Sequence, residues 1–166
     1  MSLHANFQYE HRMGTIYGWF SPRGLQHLHL PHAETGAERR SVLHSSVNDS
    51  RVWALHAALE RYFAGLVETF DTVPVDIESA TEFQREVWSA ARGVPWGSTS
   101  TYGALAECLG KGKSSARAVG HALGQNPLAI LIPCHRFLAA DGSLTGYAAG
   151  LEWKRELLRT EGALLA

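Results

Sequence analysis

Apolar and polar positions along the 166-residue chain change period several times, and each change marks an element. Residues 15–30, TIYGWFSPRGLQHLHL, carry aromatic and β-branched side chains up to a Ser21-Pro22-Arg23-Gly24 turn. Beyond it Leu25, His27 and His29 alternate with Gln26, Leu28 and Leu30. This pattern predicts a hairpin of two short strands. From Ser50 the apolar positions Val52, Leu55, Leu59, Tyr62, Phe63 and Leu66 recur at helical spacing, with Asp49 or Ser50 placed to cap, so a helix should lie on that hairpin. Val73 to Ile77 predicts a further strand or a crossing segment.

A second texture starts at Thr81. Thr81 and Gln84 have the spacing of a capping box, and Phe83, Val87, Trp88 and Ala91 form one helical face. Gly93-Val94-Pro95-Trp96-Gly97 ends that helix. Thr101 can cap a short helix from Tyr102 to Leu109, with Gly110 in the left-handed position after it, and Ser114 can cap another running to about Leu123. Two short helices around a glycine-containing turn have the outline of a helix-turn-helix, an outline that ordinary packing units share. Ala129 to Ile132 reads as an apolar strand leading into Pro133-Cys134-His135-Arg136. Gly150 to Leu158 reads as a last helix with Leu151, Lys154, Leu157 and Leu158 in register. The expected organisation is two units, residues 1–80 and 81–166.

Composition narrows the function classes. With 45% hydrophobic and 19% charged residues the chain can build a core, and no apolar stretch approaches the roughly 20 residues that span a bilayer, so a membrane role is set aside. Two cysteines, Cys108 and Cys134, make no disulfide framework. The first residues lack the pattern of a secretory leader, and a reducing cytoplasmic compartment is expected. Of nine histidines, seven precede residue 60 with no compact ligand spacing, so they read as structural or surface groups and no metal is expected. The net charge of -1 hides an asymmetry: six Lys+Arg stand against nine Asp+Glu up to residue 80, and nine against seven after it. Between Glu107 and Asp141 there is no acidic residue, only Lys111, Lys113, Arg117 and Arg136. These four cations suggest a phosphate-facing surface, with a solvated basic face as the alternative.

The chemical centre is Cys134-His135. A free thiol titrates near pH ~8.5, and a neighbouring imidazole raises the thiolate fraction, which makes Cys134 a candidate nucleophile and His135 its base. Adjacent residues on an extended strand point to opposite faces, so the pair needs a turn or a bridging water. The other reading is an inert buried cysteine.

Pro133-Cys134-His135-Arg136 resembles the active-site signature of the O6-alkylguanine-DNA alkyltransferases. The resemblance extends in order through Phe83-Gln84, Val87-Trp88, Tyr102-Gly103, Leu105-Ala106, Ala116-Arg117-Ala118-Val119-Gly120, Asn126-Pro127, Gly146-Tyr147, Gly150-Leu151, Lys154, Leu157-Leu158 and Glu161-Gly162. It covers Thr81 to about Gly162. The amino-terminal part matches only in length and in its hairpin-plus-helix outline.

The resemblance implies a two-domain α/β protein: an RNase H-like sheet plus helix in residues 1–80, and a mainly helical domain with a winged helix-turn-helix in residues 81–166. It implies direct repair, in which O6-alkylguanine is flipped out of double-stranded DNA and its alkyl group passes irreversibly to Cys134. Glu161 would orient His135, and His135 would draw the thiol proton through a water. Tyr102 would press the phosphate of the flipped nucleotide and deliver a proton to the leaving base. Asn126 would brace the turn before the cysteine, Tyr147 would wall the pocket, and the Ala148 amide would donate to O6. Gly103 and Lys113 would meet the DNA backbone and Arg117 would fill the gap in the base stack. The resemblance also implies a monomer without cofactor, and leaves O4-alkylthymine open as a second substrate. Ala148-Ala149 and Phe137 depart from the usual family residues and put tolerance for bulky alkyl groups in doubt. The rival functions are a lesion binder that does not repair, a cysteine-based regulator, and a cysteine hydrolase.

Overall fold

Alternation in Phe7-Gln8-Tyr9-Glu10-His11 buries Phe7 and Tyr9 and leaves Gln8 and Glu10 exposed, and this stretch forms a strand, β1 (Phe7–His11), beyond the two expected of the hairpin. The computed structural model describes residues 5–31 and 48–164, so His4, His32 and His44 lie outside the described residues. β1 pairs antiparallel with β2 (Gly14–Phe20), and β2 with β3 (Leu25–His29), in the order β1-β2-β3. Strict alternation fails in β3. Trp19 pairs with His27 but Phe20 pairs with Leu25, so Gln26 is the extra residue of a bulge. The bulge turns Leu25 to the buried side with Leu28, and not to the side of His27 and His29.

The segment after Val73 joins the sheet by one parallel bridge, Leu25 to Val75, with Leu25 N donating to Pro74 O at 2.8 Å and Asp76 N to Leu25 O at 2.9 Å. Asp76 is buried there and accepts from Ser21 Oγ at 2.6 Å and Gln26 Nε2 at 3.1 Å. Helix α1 (Ser50–Phe63) is capped by Asp49, whose carboxylate accepts from Arg51 N at 2.9 Å. It buries Leu55, Ala58, Leu59 and Tyr62, and Phe63 stacks on Tyr9 with ring centroids 5.7 Å apart, which sets the helix on the sheet. Leu66, expected on this apolar face, is exposed: the helix ends at Phe63, Gly65 takes φ +78°, and the chain turns away.

The chain divides into two compact units, Met1–Ile77 and Glu78–Ala166. In the second, α2 (Glu82–Arg92) begins with both halves of the Thr81–Gln84 capping box and buries Val87, Trp88 and Ala91. The Trp88 indole donates to Ala122 O at 2.8 Å, which ties α2 to α4 (Ala116–Gly124). Before α4 comes α3 (Tyr102–Cys108), capped by Thr101, and Gly110 at φ +69° closes it. Ser114 caps nothing. A 3-10 turn over Lys113–Ser115 precedes α4, and Ser115 Oγ instead donates back to Lys111 O at 2.9 Å.

The expected strand at Ala129 to Ile132 is absent. Ile130 sits at φ +73°, and Ile132 N donates to Leu128 O at 3.0 Å, so this apolar run is a buried turn. A 3-10 turn over Cys134–Arg136 follows and leads into β5 (Phe137–Leu138), which pairs in parallel with β4 (Ser100–Thr101). Gly150, at φ +93°, starts α5 (Leu151–Thr160), which buries Trp153, Lys154, Glu156, Leu157 and Leu158, while Leu151 stays exposed. The result is an α/β fold of five α-helices and two small sheets among the described residues. None of these helices is long and apolar enough to cross a membrane.

Candidate active site

The turn that replaces the strand aims Cys134. Asn126, just past the end of α4, accepts from Leu128 N through Oδ1 at 2.8 Å and donates from Nδ2 to Ile132 O at 2.8 Å. One short side chain thereby closes both sides of the loop. The same Nδ2 lies 3.1 Å from Cys134 Sγ, within hydrogen-bonding range of sulfur. Neither cysteine is in a disulfide; Cys108 is exposed and Cys134 half-buried.

Burial pushes the Cys134 thiol up from its usual range, while the Asn126 hydrogen bond and the positive charge of Lys154 pull the other way. The thiol therefore rests protonated and needs a base. His135, fully buried, is the next residue of the 3-10 turn, and its Nε2 lies 2.6 Å from Glu161 Oε1. Glu161 caps the carboxyl end of α5 and is itself buried. Burial would raise its carboxyl, but the hydrogen bonds from His135 and Arg136 prevail and hold it at about 2. Because Glu161 is ionised, Nε2 must carry the proton that it shares with the carboxylate. Burial keeps the imidazole below its usual pKa, so it is neutral and Nδ1 is its basic nitrogen.

Arg136 was expected on a phosphate-facing surface. It is instead buried, with Nε 2.8 Å from Glu161 Oε2, Nη2 3.0 Å from Oε1, and Nη1 donating to Val94 O at 2.5 Å. A planar guanidinium that meets a buried carboxylate in two places has no charge left for DNA. The remaining cations do face solvent: Lys111 pairs with Glu86 at 3.1 Å, Lys113 lies 3.8 Å from Glu107, and Arg117 is exposed near the start of α4. A Cβ added to Gly103 would lie 3.9 Å from Lys113 Cγ, so these two expected backbone contacts adjoin.

Tyr102, first residue of α3, donates its hydroxyl to Thr145 O at a long 3.4 Å, and its ring tilts against Phe137 with centroids 6.3 Å apart. Burial raises its pKa. The Tyr147 hydroxyl is buried without a hydrogen bond of ordinary geometry, and burial together with the nearby Cys134 raises its pKa well above the usual value. Ala148 is exposed in the loop between β5 and α5. The structure thus gathers Cys134, His135, Glu161, Asn126, Tyr147 and Tyr102, and leaves Gly103, Lys113 and Arg117 on the α3–α4 surface.

Two residues of the cluster take a part in it that the sequence did not foresee. Arg136 is one. Lys154 is the other: fully buried, it donates from Nζ to Phe137 O at 2.6 Å and Thr145 O at 2.8 Å and lies 6.0 Å from the Tyr102 ring centroid. Burial lowers its pKa to about 8. The available signal was its place on the same helical face as Leu157 and Leu158, where a lysine must either snorkel or find carbonyls.

Residues 82–163 match the family model described as 6-O-methylguanine DNA methyltransferase, DNA binding domain. A methylated-DNA–protein-cysteine methyltransferase of Shigella flexneri is 42% identical over 146 residues, 88% of this chain and 80% of the relative. This chain belongs to that methyltransferase family. Another member, from Methanosarcina acetivorans, is 50% identical over 105 residues, 63% of this chain and 65% of the relative. The likeness extends to the fold. The crystal structure of the Mycobacterium tuberculosis O6-methylguanine methyltransferase superposes with a TM-score of 0.79 at 34% identity, covering 96% of this chain and 93% of that one. The enzyme from the same organism in complex with DNA gives 0.78 at 34% identity, covering 94% and 91%. These methyltransferase structures span both compact units, so the family likeness is not confined to the carboxy-terminal half.

Proposed function

We propose that this member of the methylated-DNA–protein-cysteine methyltransferase family repairs double-stranded DNA directly, moving the alkyl group from guanine O6 to Cys134 Sγ once per molecule. The observation that carries the reading is the Cys134 sulfur held 3.1 Å from Asn126 Nδ2, in the same turn as a buried imidazole that Glu161 fixes at 2.6 Å. That arrangement makes a nucleophile on demand and keeps it quiet otherwise.

In the proposed sequence, the Cys134 proton passes by way of a water to His135 Nδ1, and the imidazolium is stabilised against Glu161. The thiolate attacks the alkyl carbon, the S–C bond forms as the C–O6 bond breaks, and the electron pair stays on guanine. Tyr102 supplies a proton to the departing base; its long bond to Thr145 O is readily exchanged. Tyr147 walls the pocket and the Ala148 amide donates to O6. The product thioether has no bond that water cleaves at a useful rate, so Cys134 does not regenerate.

The lesion lies inside the duplex, and the proposal includes flipping the base. Residues 81–166 would form the DNA-binding and transfer domain, with α3 and α4 as a winged helix-turn-helix, Gly103 and Lys113 on the backbone and Arg117 in the vacated stack. Residues 1–80 would form the RNase H-like domain. Exposure of Lys113 and Arg117 beside the short side chains of α4 supports this reading.

The test is mass spectrometry after incubation with a duplex containing O6-methylguanine. One added methylene per chain, on the peptide that holds Cys134, is expected, and none for Cys134→Ala, which should still bind the duplex. Turnover beyond one lesion per molecule, or modification at Cys108, refutes it.

A further inference from the structure

Glu161 receives more than the imidazole needs. One buried carboxylate accepts His135 Nε2 at 2.6 Å, Arg136 Nη2 at 3.0 Å on the same oxygen, and Arg136 Nε at 2.8 Å on the other. Had the carboxylate only to orient the ring, a single acceptor would serve, and a buried guanidinium is costly to desolvate. Arg136 is also fixed from outside the cluster by Val94 O, so it cannot swing out to solvent without breaking three hydrogen bonds.

We propose that Arg136 is a positioning residue for alkyl transfer: its guanidinium, bonded to both oxygens of Glu161, offsets the carboxylate's charge and so adds to burial in keeping His135 a neutral base until the thiol proton reaches it. The inference rests on the function proposed above. A lone buried carboxylate 2.6 Å from an imidazole favours the imidazolium, and an already protonated His135 cannot accept from Cys134. With the guanidinium on the same carboxylate, the ring keeps the orientation that Glu161 gives it without taking on a permanent charge. The other titratable groups around the ring are Lys154 of α5, whose charge also disfavours the imidazolium, Cys134 in the same 3-10 turn, and Tyr147, which feels both Cys134 and Glu161. Lys154 is spent on Phe137 O and Thr145 O, which leaves Arg136 as the cation bonded to Glu161.

The sign follows. Removing the guanidinium raises the His135 pKa, so a higher pH is needed before the base is free, and the acidic limb of the transfer-rate profile moves up. A cation lost at about 5 Å, at the effective dielectric that suits buried pairs, corresponds to a shift of roughly two pH units. On the acidic limb that is a loss of about a hundredfold, shrinking towards alkaline pH.

The experiment uses the full chain in three forms, wild type, Arg136→Gln and Arg136→Lys, with two readouts. The His135 ring nitrogens are followed by NMR from pH 5 to 9, and the single-turnover rate on O6-methylguanine duplex is measured over the same range. Arg136→Gln should show a raised His135 pKa and a displaced acidic limb. Arg136→Lys, which keeps the charge but loses the fork, should stay within about half a pH unit of wild type. Should Arg136→Gln fail to fold, Arg136→Lys decides alone, and an imidazole charged at neutral pH in it overturns the proposal. A folded Arg136→Gln with an unmoved His135 pKa and a rate lowered equally at every pH also overturns it. The NMR titration needs no transfer, so a wild type that leaves Cys134 unmodified refutes the proposed function separately.

Discussion

Glu161→Gln swaps a carboxylate for an amide of the same shape in a place that has only donors around it. Oε1 takes both His135 Nε2 and Arg136 Nη2, and Oε2 takes Arg136 Nε. An amide offers one oxygen. Placed at the Oε1 position, it leaves its NH2 facing Arg136 Nε; flipped, it faces two donors. Either way a buried guanidinium loses its counter-ion, and breaking such a pair from one side costs about 3 to 5 kcal/mol. Titration gives a second route to the magnitude. The Glu161 carboxyl is held at about 2 in the fold against a reference of 4.5. The difference corresponds to roughly 3 kcal/mol. Because the folded-state value is the depressed one, this stability is fully present above pH 4.5 and disappears as pH falls towards 2. The gap between wild type and Glu161→Gln should therefore narrow by about 2 kcal/mol between pH 7 and pH 3. Urea unfolding followed by far-ultraviolet circular dichroism at several pH values measures it, and alkyl transfer should slow far more than duplex binding weakens. A stability gap that is the same at pH 3 as at pH 7 would refute the assignment of an ionised Glu161, and equal transfer rates at neutral pH would remove it from the mechanism.

Two further substitutions test how the site and the first sheet are built. Asn126→Ala removes the bonds to Leu128 N, Ile132 O and Cys134 Sγ together. It should destabilise by about 2 to 3 kcal/mol and slow transfer, and Asn126→Ala with wild-type thermal unfolding would contradict the loop-closing role. Gly24→Ala would put a Cβ 2.6 Å from Pro74 O and 2.9 Å from the Val75 carbonyl carbon, both backbone atoms. It should destabilise by about 2 kcal/mol by prising the Leu25–Val75 bridge apart, and unchanged amide exchange at Leu25 and Asp76 would show the bridge to be dispensable.

Helices announced themselves where the local code was complete. Thr81 and Gln84 satisfy each other's backbone donors whatever surrounds them, and Thr101 before α3 likewise needs no tertiary information. β1 carried its signal too, in the alternation of Phe7 and Tyr9 with Gln8 and Glu10. What the pattern could not carry were the places where distant groups overrule local preference. Ile130 is β-branched and stands in an apolar run, which reads as strand, yet Asn126 and the burial of its own side chain hold it at a positive φ. Arg136 read as a surface cation because most are, and Lys154, although in register with Leu157 and Leu158, had no partner visible in the pattern. Their burial depends on Glu161, twenty-five residues away from Arg136, and on carbonyls of Phe137 and Thr145 that only the fold presents. Cys134 and His135 stood out as candidates from the residues and Glu161 entered through the family resemblance, whereas the guanidinium that shares Glu161 with His135 carried no such signal.

The two-residue ladder between β4 and β5 works as a spacing gauge. Ser100 pairs with Phe137 and Thr101 with Leu138, and each pair adjoins a working part: Thr101 caps the helix that starts with Tyr102, and Phe137 follows the turn that holds Cys134. Side chains on a strand alternate, so one residue inserted between Cys134 and Phe137 would turn the buried phenyl ring outward and reverse the ladder. Length changes in the loop from Ala139 to Ala149 meet no such parity rule, since nothing downstream is paired to a strand. Redesign of the pocket for larger alkyl groups therefore has no room to add or delete residues in the five positions from Cys134 to Leu138, and after Leu138 it must keep Thr145, whose carbonyl holds Lys154 and Tyr102, and the buried Tyr147 hydroxyl in place.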